Sequence, residues 1–148
     1  MQKKIIGRIE RIDLPKFNLS NIDAKIDTGA YTSSIHCHLI NKLSINNENI
    51  VQFKILDPKH PNYQEINIKL PIHSEKFVKS SSGESEKRIF IKTQISLFNK
   101  TFDIELSLTD RSRMKYPILL GRKALKDRFI VDVSKKYLSQ QIKKESNI

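Results

Sequence analysis

Mainly β structure, closed as a barrel or packed as a sandwich, is the fold class that this sequence predicts, and three observations carry it. Its best-patterned segments alternate apolar and polar residues with period two. Its runs are short and separated by turn residues. There is one short helical stretch near the end and no alternation of strand with helix, so a parallel βαβ sheet is excluded.

The elements follow in chain order. Gly7 to Ile12, Ala24 to Ile26 and Thr32 to Leu39 read as strands, then Val51 to Leu56 and Ile66 to Ile72. Asp57-Pro58 and Pro61-Asn62 mark the loop between the last two. The Ser80-Ser81-Ser82-Gly83-Glu84-Ser85 stretch marks a turn. The clearest strand follows: Ile89, Ile91, Thr93, Ile95 and Leu97 share one face, with Lys92, Gln94 and Ser96 on the other. Phe102, Ile104, Leu106 and Leu108 repeat the pattern, and Asn99 and Lys100 fall where a tight hairpin turn belongs. Pro117 to Leu120 reads as a short buried strand that Gly121 breaks. Arg122 to Lys126 fits one or two helical turns, and Phe129 to Val133 returns as a strand. No internal repeat or strong linker divides the chain, so one domain over 1–138 with a polar basic tail over 139–148 is expected.

Composition limits the function. The single cysteine, Cys37, excludes an internal disulfide framework and a Cys-rich zinc site, and reads as a small buried residue rather than a nucleophile. His36 and His38 could share one face of a strand, but two histidines do not make a metal site and no His-Glu-x-x-His helix exists. No metal is expected. Nor is a nucleotide cofactor, because there is no phosphate-binding glycine loop. No segment reaches the length of a membrane-spanning helix, and the N-terminus lacks a signal peptide's apolar run, so the expectation is a cytoplasmic protein. The net charge of +11 would fit an acidic partner. Lys and Arg are scattered, apart from a cluster at Lys135 to Lys144, and few aromatics interleave with them, which argues against nucleic acid.

The stretch Ala24-Lys25-Ile26-Asp27-Thr28-Gly29-Ala30 carries the chemistry: a short apolar strand runs into a carboxylate, a hydroxyl and a glycine. An Asp-Thr-Gly triplet alone also describes an ordinary strand-ending turn. Paired with a second carboxylate, the same Asp could share one proton, since two like charges at about 3 Å cannot both ionise. The chain has one such triplet, so a partner subunit would supply the second.

Several blocks together resemble the retropepsin-like proteins formerly labelled ATP-dependent zinc proteases, which are found beside an ATP-grasp amino-acid ligase that modifies ribosomal proteins. Ala24 to Ala30 with Thr32-Ser33 resembles that family's active-site loop. Val78 to Gly83 with Glu86, Arg88 and Ile91 resembles its flap, and Leu106 to Arg111 with Met114 to Arg122 its C-terminal signature. The resemblance implies a closed six-stranded acid-protease β-barrel with a flap hairpin and one short C-terminal helix. It implies an aspartic endopeptidase that works as a homodimer on a peptide or protein, with a glutamate-rich tail as one acidic example. Asp27 would be the catalytic carboxylate, with Thr28, Gly29 and Ala30 supporting its loop. Ser80, Ser81, Ser82 and Gly83 would form the flap tip. Leu120, Gly121 and Arg122 would support the site from behind, Gly121 by close packing and Arg122 by bracing the dimer region. The sequence departs from the family at Tyr31, where a basic residue is usual, and over 41–73, where no roles are assigned. The other class of function open to this fold is peptide binding without hydrolysis.

Overall fold

The computed structural model describes residues 2–79, 82–110 and 115–140. The period-two segments form its longest hairpin, β8 (Ser85–Leu97) with β9 (Lys100–Thr109). Their register runs from Phe90 opposite Ser107 to Leu97 opposite Lys100. Ile91, Ile95, Ile104, Leu106 and Leu108 are buried, as the alternation requires. The turn holds Phe98 and Asn99 rather than Asn99 and Lys100. Both have positive φ, 54° and 59°, as a two-residue hairpin turn demands. A left-handed Phe is unusual; burial of its ring, 5.9 Å from that of Phe129, offsets the strain.

The remaining strands are β1 (Lys4–Ile6), β2 (Ile9–Leu14), β3 (Leu19–Ile26), β4 (Ser33–Ile45), β5 (Glu48–Ile55), β6 (Ile68–Pro71), β7 (Ser74–Lys79), β10 (Ile118–Leu120) and β11 (Phe129–Val131). A 3₁₀ turn over Pro15–Phe17 and a one-turn helix, α1 (Arg122–Leu125), interrupt them, and 138–140 are helical. The structure therefore adds strands β1 and β7 and a turn at Asn46 and Asn47, both of positive φ, which joins β4 to β5.

The protein is mainly β, and its pairings close on themselves. The short β10 lies parallel to β3 and antiparallel to β4, and so joins the two ends of the series β3-β2-β8-β9-β4 into a ring of six strands. Alternate residues of this ring, among them Ile12, Ile22, Ile35, Ile91, Leu106 and Ile118, supply the core. β5 and β6 extend β4 outward, and β1 pairs with β11 as a separate parallel ribbon.

Glu10 is fully buried on β2. Its carboxylate accepts from Gly7 N (2.8 Å), Leu138 N (3.2 Å), Ser139 N (2.9 Å) and Ser139 Oγ (2.8 Å). Four donors replace the water that this anion gives up. The chain is held to the fold as far as Ser139.

Candidate active site

Asp27 lies one residue beyond β3, and the alternation that buries Ile26 in the core sends Asp27 toward the opposite side. Its backbone N–H donates to Leu120 O at 2.8 Å, so β10 fixes where β3 ends. The loop then closes on itself. Ala30 N donates to Asp27 O at 3.2 Å, and Gly29 N donates to the Asp27 carboxylate, Oδ1, at 3.0 Å. A Cβ on residue 29 would stand 3.2 Å from that same oxygen, so glycine lets the backbone approach the carboxylate.

The segment after β10 clasps this loop from behind. Gly121 N donates to Ser33 Oγ at 3.0 Å. A Cβ here would meet Thr32 O at 2.4 Å and Ala30 O at 2.9 Å, so no other residue fits without moving backbone. Arg122 N donates to Ala30 O (2.8 Å), and Lys123 N to Tyr31 O (3.0 Å). The Arg122 guanidinium reaches Thr28 O at 2.9 Å and sits 5.8 Å from the centre of the exposed Tyr31 ring. Arg122 thus braces the loop of its own chain. Thr28 serves the loop through its backbone oxygen, and its side chain makes no hydrogen bond among the described residues.

Lys123 continues the brace. Its ammonium donates to Glu105 Oε2 at 2.9 Å, and His73 Nε2 lies 3.1 Å from Glu105 Oε1, with Lys76 Nζ at 3.8 Å from Oε2. The Lys123 hydrogen bond, more than that of His73, holds the Glu105 carboxyl below the usual carboxylate range. Glu105 in turn raises Lys123. The base of β7 is thereby tied to the helix behind the Asp27 loop.

β7 and β8 carry the segment expected as the flap. β8 pairs with β9 only as far as Phe90; from Ser85 to Ile89 it pairs with β7 alone. The hairpin therefore leaves the sheet as a two-stranded arm. Ser82 and Gly83 lie in its turn, and Phe77 on β7 is 74% exposed. Ser80 and Ser81 lie outside the described residues.

The largest cavity described, about 560 Å³, opens elsewhere, under Ile66, Ile68 and Leu70. Asp27 does not line it. The other residues of chemical interest are also committed elsewhere. Cys37 is fully buried, and burial raises its thiol well above the usual value. His36 is buried 3.9 Å from Asp57, and His38 Nδ1 lies 2.9 Å from Leu56 O. Among the described residues no three His, Cys, Asp or Glu side chains gather as a metal site. Nor is any helix among them long and apolar enough to cross a membrane.

The family model of the retropepsin-like aspartic endopeptidase RimB, termed RimB-like, matches residues 5–142. A probable alpha-L-glutamate ligase of Desulfotalea psychrophila is 36% identical over 97% of this chain and 31% of its own length. A second, from Shewanella pealeana, is 37% identical over 91% of this chain and 30% of its own. The chain thus spans about a third of the length of these curated relatives. The crystal structure of a Legionella pneumophila protein of unknown function is similar with a TM-score of 0.76 at 27% identity, over 93% of this chain and 99% of that one.

Proposed function

Because the chain belongs to the RimB-like family of retropepsin-like aspartic endopeptidases, we propose that it hydrolyses peptide bonds through an Asp27 dyad assembled by two copies. The observation that carries this reading is the Asp27 loop itself. Its carboxylate accepts from Gly29 N, its backbone is fastened to Leu120, and Gly121 and Arg122 close it from behind. In such a dyad one carboxylate is charged and takes a proton from water, while its protonated twin donates to the scissile carbonyl. The two apparent pKa values belong to the pair.

Two features support the second copy: the chain has a single Asp-Thr-Gly triplet, and Ile5 and Ile130, register partners in the β1–β11 ribbon, are 54% and 57% exposed side by side. In this reading the six-strand ring is an acid-protease barrel. The arm that ends at Ser82 and Gly83 is its flap, closing over substrate and excluding water, and the reaction takes place in the cytoplasm.

The substrate is an acidic peptide. The +11 charge favours one, and the relatives named as glutamate ligases join a matching segment to a longer protein. A domain beside a ligase that attaches glutamate is well placed to cut what the ligase makes.

The test is peptide-library cleavage by wild type and Asp27→Asn from acidic to neutral pH. Asn keeps the shape but cannot share the proton, so cleavage is expected to fall by roughly a thousandfold or more. Equal cleavage by both would remove Asp27 from the mechanism. No cleavage by either, with peptide still bound, would leave a binding module.

A further inference from the structure

A row of side chains crosses the sheet on the face away from the core. Register partners run laterally through Lys25 on β3, Leu119 on β10, Ser34 on β4, Ser107 on β9, Phe90 on β8 and Ser74 on β7. Their strand neighbours Ile26, Ile118, Ile35, Leu106 and Ile91 all belong to the core cluster, so the row faces the other way. Phe90 is fully buried yet stands outside that cluster. Asp27 follows Lys25 by two residues and leaves β3 on the row's side.

The row continues onto the arm through Lys76 and Arg88, which are opposite one another and two residues from Ser74 and Phe90. The Arg88 side chain is only 10% exposed. Its Nη2 lies 3.5 Å from Glu86 Oε2, at the long limit of a hydrogen bond, and its Nε has no partner. Ser74 Oγ, on the facing strand and the same face, is also buried without a partner. Two such atoms on one face of one hairpin call for an explanation, since buried polar groups are nearly always hydrogen-bonded. A guanidinium with an open Nε is half of a fork that fits a planar carboxylate. Lys76 adds positive charge beside it, its ammonium 5.1 Å from the Phe90 ring centre. Of the two nearby acids, Glu86 is 61% exposed and 3.5 Å from Nη2, while Glu105 is held by Lys123 and His73.

We propose that Arg88 and Ser74 form a carboxylate-binding subsite at the root of the arm, which takes a glutamate or aspartate side chain of a bound peptide. Arg88 donates from Nε and Nη2, and Ser74 from its hydroxyl. The subsite rests on the reading above that the arm closes over an acidic peptide, and it makes acidity a property recognised at one position rather than by overall charge.

The experiment separates the two ideas by measuring binding without turnover. Labelled oligoglutamate and oligoglutamine peptides are titrated by fluorescence anisotropy into the full Asp27→Asn chain, alone and with Arg88→Lys or Ser74→Ala. Arg88→Lys keeps the charge but loses the fork, and is expected to weaken oligoglutamate by about tenfold with oligoglutamine unmoved. Ser74→Ala removes a buried orphan, so its melting temperature should hold or rise while oligoglutamate binding weakens about threefold or more. Oligoglutamate binding within twofold in both variants would overturn the subsite. So would equal losses for both peptides, or no binding of oligoglutamate to the Asp27→Asn chain. If wild type cleaves nothing while binding depends on Arg88 and Ser74, the proposed hydrolysis fails and the subsite stands. If cleavage depends on Asp27 while binding ignores both residues, the reverse holds.

Discussion

The Asp27 loop and the β7–β8 arm are built on opposite principles. The loop is fastened by backbone: Leu120 O, Ala30 O and Tyr31 O each accept an N–H, and Gly121 fills a gap with no room for a Cβ. The arm keeps one strand partner, exposes Phe77, and leaves Ser74 Oγ and Arg88 Nε unpaired. Groups that must be positioned for chemistry gain from redundancy, since small displacements cost rate. Groups that must admit and release a peptide gain from being underbound in the free state.

The contrast breaks most visibly at Gly121. Gly121→Ala drives a methyl to 2.4 Å from Thr32 O. It is expected to cost about 3 kcal/mol or more, the upper range of overpacking, read as a fall in the urea midpoint. A loss below about 1 kcal/mol would mean that the clasp yields, and the rigid half of the comparison would fail.

Glu105 joins the halves, because it holds Lys123 behind the loop and His73 and Lys76 at the base of the arm. Its carboxyl is depressed in the folded protein, chiefly by Lys123. Its stabilising effect is therefore present above the unfolded carboxylate value and is lost as pH falls through the lower folded one. Glu105→Gln should flatten the acid side of the stability profile below roughly pH 5. It should cost under about 1 kcal/mol at neutral pH, since the partners are partly exposed. An unchanged acid limb in urea melts at stepped pH would remove Glu105 as the tie. The smallest effect belongs to the arm's outer side: Phe77→Ser should move stability by less than about 0.5 kcal/mol. A larger loss in the same melts would show that Phe77 packs against something and that the arm is not free.

Legibility in the sequence divides along similar lines. The β8–β9 hairpin was readable because its faces alternate almost throughout, Phe90 being the exception, and the turn after Ile26 because Asp-Thr-Gly is turn chemistry. β7 was not: Ser74 to Lys79 stays largely outside the core, so burial imposes no pattern on it. Asn46-Asn47 was a readable turn signal, overlooked inside a segment with no assigned role. The shift from Asn99-Lys100 to Phe98-Asn99 followed from a tertiary contact, the Phe98 ring against Phe129. Neither the closing of six strands through β10 nor the placing of Ser74 and Arg88 on one face of a hairpin is written locally, since both depend on which register partners meet.

Glu10 gives the fold a direction in time. Its carboxylate is answered by Leu138 and Ser139, 128 and 129 residues farther along the chain. During synthesis β2 therefore precedes three of its four donors by most of the fold. Until they emerge, Glu10 has only the local Gly7 N–H, and sealing β2 into the core would leave its carboxylate short of donors. Burial of the Glu10 carboxylate is therefore a late step, completed only once residues 138 and 139 are in place.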